Sequence, residues 1–238
     1  MSIYITGDLH GVTNAHRLAV LDTITTENDY LIIVGDFGIP SFKDMIGDSE
    51  GIRVFNKKHY TTLFIDGNHE NFFEINSLPI KDWHGGKVHK ISHKIIHLMR
   101  GQVFNIEGKT FFTFGGAISV DKLIRIPGFT YFPEEDCNTQ ETNEAMKNID
   151  KLKGSGVDYV ITHTCSTEYL KKHNDDIIYG QTVLEQYTGN VGKMLDYVEE
   201  NLAYKHWYFG HFHRDCKIDA KHTLLSENIL ELETNKFI

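Results

Sequence analysis

Apolar and polar positions along the chain alternate between two rhythms. Short β-branched and aromatic runs occupy residues 2–6 (SIYIT), 29–35 and 61–66 (TTLFID). The run Leu31-Ile32-Ile33-Val34 is uninterrupted and closes on Gly35-Asp36. An apolar run bounded by a turn signal suits a strand buried on both faces. Between these runs the spacing becomes helical. Residues 14–26 put Leu18, Leu21 and Ile24 on one face with Asn14 as N-cap, and residues 49–59 turn Ile52 and Phe55 inward. Strand and helix in alternation predict an α/β fold on a parallel sheet. The strand-to-loop junctions at Asp8, Asp36 and Asn68 are 28 residues (8 to 36) and 32 residues (36 to 68) apart, about one βαβ unit. Right-handed crossovers lay such strands side by side with their C-terminal ends on one edge. Spacing alone therefore brings Asp8, His10, Asp36, Asn68 and His69 to one sheet edge, where open α/β sheets place their chemistry.

From Trp83 to Gly116 the texture changes. Residues 87–91, 95–99, 103–106 and 110–114 are short, β-rich and separated by glycine or polar turns, which predicts an antiparallel meander. Residues 120–136 have no period, and a connection that long is a lid or binding-loop candidate. Asn138 caps a predicted helix to about residue 153, with Glu141 at its third position. A strand at 157–162 ends on His163. A helix or turn follows at 166–172, then a polar loop to Gly180 and a helix at 191–201. A strand at 204–209 ends on Gly210-His211-Phe212-His213, and 217–232 reads as closing strands. No repeat or linker composition interrupts the chain, so residues 1–238 are expected to form a single domain.

Composition narrows the function classes. Hydrophobic residues at 40%, aromatics at 12% and only four prolines exclude a disordered chain. The sequence opens directly on a strand, so no targeting peptide is expected, and no apolar run approaches the roughly 18 residues of a membrane span. Cys137, Cys165 and Cys216 have no CxxC spacing and read as reduced thiols of a cytoplasmic protein, Cys165 as a buried inert one rather than a nucleophile. The net charge of −9 disfavours an extended nucleic-acid surface. It permits small phosphorylated substrates, because two divalent cations would add about +4 to a site lined with aspartates.

The chemistry concentrates at five strand ends. They carry Asp8-x-His10, Gly35-Asp36, Gly67-Asn68-His69-Glu70, His163 and Gly210-His211-x-His213. Carboxylate, imidazole and amide oxygen suit divalent transition metals, and the absence of cysteine argues against a structural zinc site. In the two x-spaced pairs, the alternation of an extended chain would point both side chains the same way. Asp36 has two oxygens and can ligate two cations at once. Taken singly, each signal reads as a turn residue or a cap; their recurrence at strand ends sets them apart.

In that order, GDLHG at 7–11, GD at 35–36, GNHE at 67–70, His163 and GHFH at 210–213 resemble the calcineurin-like metallophosphoesterases, most closely their short bacterial and phage members. The resemblance implies a four-layer α/β/β/α sandwich with a dinuclear centre. It implies that Asp8, His10, Asp36 and His213 hold one metal, that Asp36, Asn68, His163 and His211 hold the other, and that His69 stands beside the substrate phosphate. Manganese leads as the cofactor, with iron or zinc as alternatives. Two cations about 3.5–4 Å apart can clamp a phosphate and lower the pKa of a bridging water toward 7, and the hydroxide then attacks phosphorus in line. His69 would supply the leaving oxygen with a proton or hydrogen bond. Glu70 either steadies a ligand imidazole or caps the next helix.

The sequence also departs from family patterns. Gly35-Asp36-Phe37-Gly38-Ile39-Pro40 lacks the second acid and the arginine of GDxxDRG, and Asn71 stands where an arginine follows GNHE. These departures argue against a phosphoprotein phosphatase or a diadenosine tetraphosphatase. Arg125 is the first candidate for the missing phosphate contact, ahead of Lys122 and Arg17. The expected substrate is a nucleotide-sized phosphodiester or phosphomonoester, with Phe129, Tyr131 and Phe132 available to stack on a base. A repair-type DNA nuclease and a non-catalytic scaffold are the competing readings.

Overall fold

The computed structural model describes residues 1–41, 44–119, 122–128, 130–181 and 188–238, without the side chain of Leu123. Strands β1 (Ile3–Thr6), β2 (Tyr30–Ile33), β3 (Thr61–Phe64), β4 (Ile80–Trp83), β5 (Gly86–Lys90) and β6 (Ile95–Leu98) come first. They are followed by β7 (Gln102–Ile106), β8 (Lys109–Phe114), β9 (Val157–Thr162) and β10 (Tyr204–Phe209). The short β11 (Cys216–Lys217), β12 (His222–Leu224), β13 (Leu230–Glu231) and β14 (Lys236–Phe237) close the chain. They form an eight-stranded sheet, β14-β13-β1-β2-β3-β6-β5-β4, and a six-stranded sheet, β11-β12-β10-β9-β8-β7. Within the first, β1, β2, β3 and β6 run parallel; within the second, β8, β9, β10 and β12 do.

Period-two alternation in these strands sorts side chains into separate cores. Ile3, Ile5, Ile32, Val34 and Leu63 of the first sheet meet Phe111, Ile161 and Tyr208 of the second between the two sheets. The intervening Tyr4, Leu31, Ile33 and Phe64 face outward onto the helices of the first half, which include α1 (Leu21–Ile24), α2 (Glu50–Phe55) and α3 (Phe72–Asn76). Phe112, Phe114, Val160, Trp207 and Phe209 face the other way, onto α4 (Thr139–Lys151), α5 (Thr167–Lys172) and α7 (Gly189–Asn201); α6 (Asn174–Ile178) lies between the last two. The result is the α/β/β/α sandwich. Burying both faces of each central strand is what makes their sequences read as continuous apolar runs.

Several expectations need correction. The meander over residues 87–114 is divided. β5 pairs antiparallel with β6, but β6 pairs parallel with β3, while β7 and β8 form a hairpin in the other sheet. The turn at Arg100-Gly101 therefore carries the chain from one sheet to the other, and local β-propensity does not report that change of partner. The helix expected over 14–26 is a 3-10 segment, Val12–Leu18, followed by the single turn α1. Asn14 does not cap it; Gly11 occupies that position, and Asn14 Nδ2 donates back to Leu9 O at 3.0 Å. The polar loop before Gly180 contains α6. Within 120–136, Val120, Asp121 and Phe129 lie outside the described residues; the rest holds short 3-10 turns at Lys122–Ile124 and Pro133–Glu135. The cap of α4 is as expected: Asn138 Oδ1 accepts from Gln140 and Glu141, and Glu141 Oε2 accepts from Asn138 N.

One buried ion pair braces the junction between the sheets. Asp66, just past β3, accepts from Arg100 Nε at 2.8 Å on Oδ2, while its Oδ1 meets His97 Nε2 at 3.0 Å. Arg100 also reaches Glu134 O, Asp136 O and Glu141 Oε2. Gly115 and Gly116 pack so closely that a Cβ at either would fall 2.4 Å from Asp66 Oδ1 or 2.8 Å from Arg100 Nη2. Removing one partner of a buried pair strands the other charge, at a cost of about 3–5 kcal/mol. Arg100→Met should lower denaturant stability by about that amount. A loss under about 1 kcal/mol would mean that the pair does not hold the sheets in place.

Candidate metal centre

The five junctions meet where the C-terminal ends of both sheets face each other. Asp8, Asp36 and Asn68 follow the adjacent β1, β2 and β3; His163 and the His211–His213 turn follow the adjacent β9 and β10. The loops bond one another directly. His10 N donates to Asp36 O at 2.7 Å, Gly11 N to Phe37 O at 2.9 Å, and Gly210 N to His163 O at 2.8 Å.

The backbone here is not extended, contrary to the reasoning from strand alternation. Asp8 (φ 43°), His10 (φ 52°), Asp36 (φ 50°), His211 (φ 75°) and His213 (φ 50°) all lie in the left-handed region. Each costs on the order of 1–3 kcal/mol and persists only where its surroundings over-determine it. Tight left-handed turns, rather than alternation, bring Asp8 with His10 and His211 with His213 to the same centre. Glycines permit the approach of the loops. A Cβ on Gly67 would sit 2.2 Å from Asp36 Oδ1, and one on Gly35 would sit 2.2 Å from His163 Nδ1.

Asp8, His10, Asp36 and His213 each offer a ligand atom, all within 4.8 Å of one another. The Nε2 atoms of His10 and His213 face each other at 3.1 Å, and His10 Nε2 lies 3.7 Å from Asp36 Oδ2. Asp8 Oδ1 accepts from His211 N at 3.0 Å, while Oδ2 is buried with no hydrogen-bond partner among the described residues. A buried carboxylate oxygen left without a donor is costly in a protein and natural in a ligand awaiting a cation. This donor set fits a divalent metal.

The remaining ligand candidates gather on the other oxygen of Asp36. His163 Nε2 lies 3.3 Å from Asp36 Oδ1 and 3.2 Å from Asn68 Oδ1, and its ring packs edgewise on His211 with centroids 5.1 Å apart. His163 Nδ1 donates to Val34 O at 2.8 Å, which turns Nε2 toward the centre. His69 is held by its own backbone, N to Asp36 Oδ1 at 2.8 Å, and its ring centroid lies 5.1 Å from that of His10. Arg125 reaches this histidine, with Nη2 3.2 Å from Nε2 and Nη1 3.4 Å from Nδ1, so the loop arginine does join the site. Among the described residues, Lys122 bonds within its own turn, N to Ser119 O. Phe132 is buried against Phe72, with centroids 6.0 Å apart, and is not free to stack on a base.

Electrostatics follow from burial and from the central aspartate. Burial works against the charge on Asp36, but His163, with its hydrogen bond, and the other histidines outweigh it and hold the carboxyl far below its usual range. Burial also opposes charge on His163; Asp36 and Asp8 reverse the balance and raise it to about 10. Burial lowers His10 to about 4 and His211 to about 3, which keeps both imidazoles neutral and able to ligate. Burial pushes Cys165 well above a normal thiol, which fits an inert core residue; all three cysteines are free.

Two contributors were not apparent from sequence, and a third has another role than expected. Ser119 Oγ accepts from Asn68 Nδ2 at 3.0 Å and so turns the amide oxygen to the metal side. Glu135, fully buried and raised by burial to about 7, accepts from Ser119 N at 3.2 Å and ties that loop in place. Glu70 neither steadies an imidazole nor caps a helix. Its two oxygens accept from Phe37 N and Gly67 N, both at 2.7 Å, clamping the second and third junctions together. Asn71 is the cap of α3, accepting from Glu74 N at 3.2 Å. No local motif announces Ser119 or Glu135, since both act across loops distant in sequence.

A two-sheet sandwich carrying this donor set defines a metal-dependent hydrolase of phosphoric esters. The family model for calcineurin-like phosphoesterases matches residues 1–215 of the 238, and the chain belongs to that family. No curated protein matches it. Among the described residues, no helix is long and apolar enough to cross a membrane.

Asp8 gives a direct test of the orphaned oxygen. In the metal-free fold, burial raises its pKa from 3.8 to about 7, opposed by His163 and reinforced by Asp36. A carboxyl with a raised folded pKa opposes folding once ionised, so its penalty grows between about pH 4 and 7 and stays constant above. Asp8→Asn removes that penalty. In chelator at pH 8 its Tm should exceed that of the wild type by several degrees, with the gap closing near pH 4. A lower Tm at pH 8 would show that Oδ2 is satisfied within the protein.

Proposed function

We propose that the chain is a dinuclear phosphoesterase that hydrolyses a nucleotide-sized phosphodiester or phosphomonoester. Asp36 would bridge the two cations, with manganese foremost and iron or zinc as alternatives. The observation that carries this reading is the division of the Asp36 carboxylate. Oδ2 faces His10 at 3.7 Å, and Oδ1 faces His163 at 3.3 Å. One oxygen therefore points to each ligand set: Asp8, His10 and His213 on one side, Asn68, His163 and His211 on the other. Divalent cations held there would supply Lewis-acid stabilisation of phosphate charge and activation of a water.

The protein groups account for the rest. His69 is anchored through its backbone N to Asp36 Oδ1 at 2.8 Å, which supports placing it beside the proposed centre. From there it can place a hydrogen bond or a proton on the leaving oxygen. Arg125 provides the planar donor fork that matches phosphate oxygens, the role left open by the missing GDxxDRG arginine. Free thiols at Cys137, Cys165 and Cys216 agree with a cytoplasmic setting.

His69→Ala separates catalysis from metal binding. With manganese and bis-p-nitrophenyl phosphate as substrate, kcat should fall by roughly 10²–10⁴-fold while metal content is unchanged. Loss of metal together with activity would show that His69 is a ligand, and full activity would remove it from the reaction.

A further inference from the structure

A second feature adjoins the metal centre. A cleft of about 460 Å³ shares Asp8, His10 and His213 with it and continues past Arg17 to the Ser226–Asn228 turn. A space of that size accepts a sugar and a phosphate. Arg17 lies partly buried in its wall. Its Nη2 donates to Gly7 O, its Nε is buried and unpartnered, and among the described residues its side chain makes no other hydrogen bond and no ion pair. A guanidinium is a fork of N–H donors that is always charged, and most of this fork is uncommitted.

The acids that face Arg17 are Asp8, Glu227 and Asp215. Asp8 belongs to the metal centre. The Asp215 carboxylate is taken by backbone N–H groups of Ser226 at 2.9 Å, Glu227 at 3.1 Å and Asn228 at 3.2 Å. Glu227 is exposed at the rim. Once cations offset Asp8 and Asp36, the cleft places a guanidinium with uncommitted N–H groups beside a positive neighbour. Among the described residues no Phe, Tyr or Trp lines it, so it offers an anion more than it offers a base.

We propose that this cleft is a subsite for a second phosphate of the substrate, anchored by Arg17. The inference rests on the dinuclear reading above and narrows the substrate class to nucleotides carrying two phosphates. One lies over the metals. The other, a terminal monoester or the next link of a short chain, lies in the cleft.

The test is a matched series on the manganese-loaded full chain: thymidine 5′-(p-nitrophenyl phosphate), the same ester with a 3′-phosphate, and the same ester extended by one 3′-linked thymidine. The 3′-phosphate should lower KM about tenfold or more, the effect of one charge-assisted contact. A gain confined to the 3′-phosphate identifies a terminal monoester as the natural group, and a gain shared by the extended ester identifies a chain link; either supports the subsite. Arg17→Gln should erase most of the preference between the paired esters, and Arg17→Lys should restore part of it. Equal KM values across the wild-type series overturn the proposal, whether or not the Arg17 variants fold. So does a preference that survives in a folded Arg17→Gln. Calorimetric binding of thymidine 3′,5′-bisphosphate against thymidine 5′-monophosphate separates the two readings. If no ester is hydrolysed but the bisphosphate still binds about tenfold tighter through Arg17, the subsite stands and the hydrolytic assignment fails. Equal binding of the two nucleotides overturns the subsite.

Discussion

The Asp36 carboxylate is the constraint around which the molecule is arranged. It is 1% exposed, and its own backbone is left-handed, with φ at 50°. A charge that deep survives only if every neighbour favours it. His163 comes to it from the second sheet, His10 from the β1 loop, and the His69 amide from the β3 loop. Each contact ties one loop to the others, so a single side chain links strand ends of both sheets. Gly67 is required there because the carboxylate occupies the space a Cβ would need.

That geometry is held from outside by groups with no chemistry of their own. Glu70 clamps two of the loops through their backbones, and Ser119 fixes the Asn68 amide. Behind them, the Asp66–Arg100 pair secures the crossing from β6 to β7 and reaches the start of α4 through Glu141. Left-handed backbone at five of the ligand candidates stores strain that these supports must offset. Strain and buried like charge at one point are characteristic of a centre organised for ligands rather than for stability.

Much of this was legible in the sequence because parallel strands buried on both faces must be written as apolar runs. Their ends, marked by glycine, aspartate and histidine, then show where the loops begin. Residues 31–36 display both features, and the candidate donors at the five junctions lie near one another. What was illegible depends on contacts between distant segments. Nothing local in 87–114 tells that β7 leaves the first sheet, because a hairpin reads the same in either. The Asn14 side chain suits a cap and is used instead to close the Leu9 turn. Glu70 looked like a partner for an imidazole because it follows His69, yet its partners are amides of loops brought beside it only by folding. Arg125 was identifiable as a candidate only through its place in an aperiodic loop.

Metal analysis of Asp36→Asn beside the wild type tests the centre most directly. Protein purified from manganese-supplemented medium, then dialysed and measured by elemental mass spectrometry, should carry about two equivalents per chain in the wild type. The variant should carry almost none, because both ligand sets lose a shared anchor. A wild type saturating at one equivalent, or a variant that keeps both ions, would contradict the bridging role of Asp36.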